Sequence, residues 1–515
     1  MSTQRDRLFF IGILVCFLVM VSFPYILAAQ SAYPDHVFGG FLFNPLDGNS
    51  YLAKMYIGLR GEWLFRLPYT ADRGAGVFLY TFYILLGHLA RWSGLSLIFT
   101  FHAARILCSL VLLFVLFRFL KGYLKDSHTV RLAMLFASFG SGWGWLGLPF
   151  GLFTSDFWVA EAYPFLSSYT NPHFPLSLAL LLYLLIPETR PGNDRSRWLA
   201  TGALVFLASA ALASMSPFSV VIALIVWSGA LLWMRIDRIR SALASLQDWM
   251  IIRLVGIGLG GLPVLLYQVI SIRSDALLAG WNAQNQTPAP PFWDVLLALA
   301  PLVLLAPFGM RVVRGDGTQH RPLIIWIFSG MLLLTIPFSL QRRFMVGIYV
   351  PIAALASLAL VVRAHRPRQL WLWGLMVLLL AIPTNLLIIQ AALHGIRTRD
   401  DQLYLSREEA DALAWIEAET KSDALILASP EMGLFIPAHT GRRVIYGHPY
   451  ETVRAEEQKK AVEQYFRGER TLDELSNPVD FILFGPRERE YGGNPALEDL
   501  NLAFRNDQVV IYRTP

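Results

Sequence analysis

The segment NPLDGNSYLAKM, residues 44–55, carries an acidic residue, Asp47, shortly after the first long apolar run of the chain. A carboxylate beside hydrocarbon is costly unless water, a partner or chemistry accounts for it. If the segment is helical through position 47, then Asp47, Tyr51 and Lys54 share one face at i, i+4 and i+7. A carboxylate near a lysine and a phenol at a water–bilayer boundary is equipped to take a proton from an acceptor hydroxyl. The structural alternative is that Asp47 caps a helix starting near Gly48 or Asn49.

Three further groups hold reactive or binding side chains. The stretch TSDFWVAEAYPFLSSYTN (154–171) has no Lys or Arg but carries Asp156 and Glu161. Such a loop suits a divalent cation or sugar hydroxyls, because hard cations prefer oxygen ligands. The spacing of the two acids matches no compact metal motif, and solvated surface acids are the plainer reading. SLQRRFMVGIYVPIAAL places Arg342 and Arg343 side by side at the start of an apolar run. Guanidinium groups bind phosphate oxygens bidentately, so the pair can hold the phosphate of a lipid carrier, or else anchor the run at headgroup level. His173, in TNPHFPLSL, opens another apolar run, where a lone histidine serves substrate or a local hydrogen bond.

GRRVIYGHPYETVR gathers Arg442, Arg443, His448 and Glu451, either a binding surface or a charged strand edge and turn. Asn285-Gln286-Thr287 is an N-glycosylation sequon. The chain has no P-loop, no GxGxxG after a strand, no HExxH and no CxxC, so nucleotide-driven and zinc-protease chemistry lack support.

The elements that must position these residues are membrane helices. Of 515 residues, 55% are hydrophobic and 16% charged, against about 25% charged in an average soluble domain. The apolar residues run in blocks of roughly 17 to 22, enough to cross a hydrocarbon core. The blocks fall near 8–29, 99–119, 130–150, 173–187, 199–213, 217–234, 250–271, 292–310, 322–337, 345–362 and 370–392, about eleven spans. Cys16 and Cys108 both lie inside such blocks, so no disulfide framework is expected. The net charge of +6 comes from clusters in the short connections and is no footprint of nucleic acid.

The stretch 76–90 is ambiguous. If it stays at the membrane surface, the clusters at Arg118–Arg131, Arg190–Arg197, Arg235–Arg240, Arg311–Arg321 and Arg363–Arg368 share one side with the N-terminus. By the positive-inside rule that side is cytoplasmic, and 76–90 is a juxtamembrane or re-entrant helix. External loops are then expected near 30–98 and 151–172. The membrane domain covers 1–395, and 396–515 forms an extracytoplasmic α/β domain. In that tail SREEADALAWIEAET opens with a capping box at Ser406 and Glu409. Its strands are expected at 424–428, 442–446, 480–484 and 508–512, with a helix over ETVRAEEQKKAVEQYF.

This layout resembles the GT-C superfamily of membrane glycosyltransferases, in particular bacterial relatives of the dolichyl-phosphate-mannose protein mannosyltransferases. The resemblance is carried by Asp47 in a long first loop, by GVFLYTFYILLGHLARWSGLSL and by FHAARILCSL with Arg105. It is also carried by Arg343-Phe344-Met345-Val346-Gly347-Ile348-Tyr349-Val350-Pro351, which partly matches a late RYxLPxxP element. Many members carry a second acid beside the first, where this chain has Gly48. The resemblance implies a polyprenyl-phosphate-linked sugar donor, Asp47 as catalytic base, and Arg342 or Arg343 on the lipid phosphate. Tyr51, Lys54, Arg105 and His173 would line the substrate site.

The expected function is transfer of a sugar to an unknown glycan, lipid or protein acceptor on the extracytoplasmic face of a bacterial cell membrane. A transporter or flippase of a lipid-linked glycan is the first alternative. It would place charges mid-span and repeat its halves, and neither is apparent here. A non-catalytic relative binding a glycan or partner is the second.

Overall fold

The computed structural model describes residues 4–515 apart from 33, 188–194, 237–243, 315–319, 476 and 499. Arg190, Arg238 and Arg240 of the expected basic clusters therefore lie outside the described residues. The chain divides into two compact units.

The first unit comprises Met1–Phe23, Ala104–Tyr267 and Thr287–Ala391 and is helical. Its helices approach closely where side chains vanish. At Gly309, on the Leu302–Arg314 helix, a Cβ would strike the Leu355 carbonyl of the Tyr349–Arg363 helix, the small-residue contact that lets membrane helices pack backbone to backbone. Asp6 and Arg131 form a two-pronged ion pair at 2.7 and 2.9 Å near the start of the first helix.

Across the described chain six helices are long and apolar enough to cross a membrane, or up to eight if each of two bent pairs is one span. The eleven expected spans shrink for local reasons. The blocks at 292–310 and 370–392 are bent by 77° and 43°, at breaks where Pro301 and Pro383 stand; proline removes a backbone donor and clashes with the preceding turn. The block at 130–150 breaks after Ser127–Phe139, at Gly140-Ser141-Gly142, and continues only as the short turns Gly144–Gly147 and Leu148–Phe150. His173–Leu185 and Arg321–Leu333 are apolar but 13 residues long, about 20 Å, short of the hydrocarbon thickness. The ambiguous 76–90 stretch becomes the 13-residue helix Thr81–Ser93, also too short to cross alone.

The second unit comprises Pro24–Ala103, Gln268–Gln286 and Ala392–Pro515, so the tail shares its unit with the first loop. Strands β1 (His36–Phe38) and β2 (Tyr404–Ser406) pair antiparallel, His36 opposite Ser406. A five-stranded sheet has the order β4-β3-β5-β7-β6, with β3 Leu425–Leu427, β4 Arg443–Val444, β5 Phe481–Phe484, β6 Asn501–Arg505 and β7 Val510–Arg513. β3 runs parallel to β4 and β5, while β7 is antiparallel to β5 and β6.

The four strands read from the sequence all form; β1, β2 and β6 were not among those expected. The Ser406–Glu409 capping box closes at the start of Arg407–Glu419. The helix expected from Glu451 begins only at Ala455, because His448–Arg454 forms a turn. The core of this unit joins sheet residues Ile426, Leu483 and Ile511 with Ala53 and Tyr69 of the first loop.

Candidate functional site

Asp47 lies in the first turn of the helix Pro45–Leu59. The helix starts earlier than a cap at Asp47 would require. Asn44, at φ 46°, is the N-cap and accepts from the Asp47 N–H, while its Nδ2 donates to Asp47 Oδ2 at 2.6 Å. Pro45 follows at the position where a missing N–H costs nothing. Asp47 is thus half-buried, oriented by Asn44, and favoured by the positive end of the helix dipole. At the next position a Cβ would fall inside the Phe41 ring, which packs edge-on against Phe101 with centroids 5.1 Å apart. A second acid beside Asp47 therefore has no room at Gly48.

The helix includes Asp47, so Tyr51 and Lys54 do share its face, but their surroundings correct the expected roles. Tyr51 stacks on Tyr83, with centroids 4.2 Å apart and planes 10° from parallel. Lys54 is fully buried, its Nζ 2.8 Å from Glu451 Oε1 and 2.6 Å from Ser50 Oγ. The ammonium also sits over the Tyr80 ring at 4.1 Å. An ammonium so occupied holds the helix to the His448–Glu451 turn and is a positioning group. That turn supplies what the sequence left as a choice between binding surface and strand edge. His448 Nδ1 accepts from the backbone N–H of Tyr450 and Glu451, which puts the ring hydrogen on Nε2. Nε2 is buried without a hydrogen-bond partner, and Asp47 and the Leu46 backbone are among the groups acting on the ring. Glu451 Oε2 is likewise buried without a partner. Arg442 and Arg443 belong elsewhere: Arg442 is buried against the carbonyls of Glu417, Thr420 and Thr440.

Two acid-side contributions to stability follow. Burial lowers His448 below its ordinary 6.5, with Glu451 and Asp47 opposing. Below that value the unfolded chain binds a proton that the folded chain refuses, so stability falls as pH drops from 6.5 toward the lowered value. Burial pushes Glu451 up, but Lys54, His448 and the hydrogen bonds from Lys54 and Ser50 outweigh it and leave the carboxyl below its ordinary 4.5. Its contribution is present above 4.5 and is lost as pH falls through the folded value. The expected result is a melting temperature that declines on acidification from about pH 7 to about pH 4, and less steeply above about pH 5 in His448→Gln. A wild-type profile flat over that range would contradict this.

In the other unit, Arg342 and Arg343 occupy a short 3-10 turn, Gln341–Met345. Their guanidinium nitrogens lie 3.8 and 3.7 Å from Glu161 Oε1, and Arg342 also covers the Trp158 ring at 4.9 Å. Glu161 is nearly buried, and its backbone carbonyl accepts from Gly347 N–H, so the 151–172 loop and the arginine turn are fastened together. Gly347 has φ +62°, which suits glycine. Both arginines remain partly exposed, at 23% and 36%, with their guanidiniums turned toward Glu161.

Three other expected site residues are buried within the fold. Asp156 is fully buried and accepts from Gly142 N–H, Gly144 N–H and Thr154 Oγ1, an internal brace for the loop. Burial raises its carboxyl, with the Thr154 hydrogen bond opposing. Among the described residues no three His, Cys, Asp or Glu side chains gather as a metal site. Arg105 is buried and donates to the carbonyls of Val21 and Ser168, so it ties helices together. His173 is buried at the start of its helix, its ring 4.0 Å from Phe174.

No family model and no curated protein matches the sequence. Solved structures do. ArnT from Cupriavidus metallidurans, bound to undecaprenyl phosphate, aligns at a TM-score of 0.52 and 11% identity, over 97% of this chain and 98% of its own. Archaeal oligosaccharyltransferase AglB from Archaeoglobus fulgidus, in complex with an inhibitory peptide and a dolichol-phosphate, aligns at 0.55 and 11%, over 94% and 70%. Arabinofuranosyltransferase AftD from Mycobacteria aligns at 0.51 and 15%, over 96% and 41%. The chain thus has the GT-C fold of membrane glycosyltransferases, the superfamily that its loops and arginines resemble.

Proposed function

We propose that the chain is an integral-membrane glycosyltransferase that moves a sugar from a polyprenyl-phosphate-linked donor to an acceptor on the extracytoplasmic face. The observation that carries this reading is the half-buried Asp47 carboxylate, oriented by Asn44 at a helix start within the GT-C fold. The undecaprenyl phosphate on ArnT and the dolichol-phosphate on AglB support the donor class.

Asp47 takes the proton of the acceptor hydroxyl as its oxygen attacks the anomeric carbon. The bond from that carbon to the phosphate oxygen breaks, and its electron pair leaves with the lipid phosphate. Arg342 and Arg343, in the other unit, are of the type that binds such a phosphate, the role that the GT-C resemblance gives them.

The test of the donor class uses membranes containing the wild-type chain and a panel of radiolabelled donors. Polyprenyl-phosphate sugars are expected to label acceptor, while the matching nucleotide sugars give only background in membranes stripped of endogenous lipid carrier. Equal labelling from nucleotide sugars under those conditions would overturn the proposal.

A further inference from the structure

The Asp47 helix has a second cleft at its other end. Its walls include Arg60, Arg66, Arg73 and Arg443, against the carboxylates of Glu62 and Asp423, with about 510 Å³ of space between them open to solvent. Arg60 follows the last helical turn, 13 residues after Asp47, or roughly 20 Å along the axis. All of these residues belong to the second unit.

The charges are unequally answered. Glu62 is shared by two guanidiniums, Arg66 at 2.6 Å and Arg73 at 3.6 Å. Arg60 and Arg443 turn to backbone carbonyls instead. Arg60 donates to Ser422 and Thr440, and Arg443 to Ala71 and Asp423. Carbonyls fix a guanidinium in place but do not neutralise it. Arg443 Nε is buried with no partner. Gly441, at φ +63°, allows this crowding, since a Cβ there would press on the Arg60 guanidinium. Burial, followed by Arg442, lowers Arg60 below the ordinary arginine value; burial and Arg73 do the same to Arg443, with Asp423 opposing. Among the lining residues four arginines face two carboxylates, a formal excess of two positive charges, while Asp72 and Asp480 act on Arg443 from outside the lining.

We propose that this cleft is a binding site for a phosphate-type dianion, separate from the Asp47 site. A dianion matches the charge excess, and planar guanidinium forks held in advance by carbonyls engage tetrahedral oxyanions at low entropic cost. The dianion is either carried by a soluble molecule, such as a phosphorylated glycan, or presented by an anionic lipid headgroup.

The test uses the full chain in nanodiscs of phosphatidylcholine, with inorganic phosphate as the probe, titrated by calorimetry and by phosphorus NMR line broadening. Glu62→Gln releases two guanidiniums and is expected to tighten phosphate binding by about fivefold, the scale of one partly exposed charge contact. The double variant Arg66→Gln/Arg73→Gln keeps the carbonyl contacts of Arg60 and Arg443 and is expected to weaken it by about tenfold or more. Repeating the wild-type titration in nanodiscs containing phosphatidic acid distinguishes the sources. Loss of apparent phosphate affinity there assigns the site to a lipid headgroup, and unchanged affinity assigns it to a soluble phosphate. Phosphate binding that is undetectable in the wild type, or equal in wild type and both variants, would overturn the proposal.

Discussion

Asp47→Asn is expected to lower kcat for sugar transfer by about 10²- to 10⁴-fold, the usual contribution of a positioned general base. KM is expected to change little. The substitution is nearly isosteric, and the amide oxygen still accepts the hydrogen bond from Asn44 Nδ2. Its structural cost is the loss of a carboxylate at a helix N-terminus, about 0.3–1 kcal/mol. Unfolding midpoint and membrane abundance should therefore stay near wild type while turnover collapses, and a fall in both together would point to a structural role. Asp47→Ala is less informative, because it also removes the acceptor that orients Asn44 in its left-handed conformation.

The largest expected effect on stability comes from Lys54. Its ammonium is fully buried, and its partner Glu451 is 10% exposed at the side chain. Lys54→Met leaves the Glu451 carboxylate in the interior with Ser50 as its remaining donor, and breaking such a pair typically costs about 3–5 kcal/mol. Removing the negative partner as well, in Lys54→Met/Glu451→Gln, is expected to recover most of that loss, since an uncharged pair carries no desolvation penalty of this size. Thermal unfolding of the wild type and the two variants reads the effect. If Lys54 served substrate directly, the single variant would unfold like wild type and show a raised KM instead.

The fold was legible wherever the sequence signal is local. Long apolar blocks marked the helices, short apolar runs marked β3, β4, β5 and β7, and Ser406 with Glu409 marked a helix start. What failed was continuity: Pro301, Pro383 and the Gly140–Gly142 stretch interrupt blocks that hydropathy alone reads as unbroken. The site was legible as residue types rather than as partners. Asp47, Arg342 and Arg343 stood out by position. The ion pair of Lys54 with Glu451, 397 residues apart, has no trace in composition or spacing. Asp156 and Arg105 mislead for a related reason. A buried polar side chain holding backbone groups looks, in sequence, like one waiting for a ligand, and only the carbonyls and N–H groups around it reveal the difference.

The central claim is that Asp47 is the base of a lipid-linked sugar transfer. It is tested most directly by measuring single-turnover label transfer from polyprenyl-phosphate sugars in matched membranes holding equal amounts of wild type, Asp47→Asn and Asp47→Glu. Transfer by the wild type, near-complete loss in Asp47→Asn and partial return in Asp47→Glu is the result predicted here. Equal transfer by wild type and Asp47→Asn would contradict it.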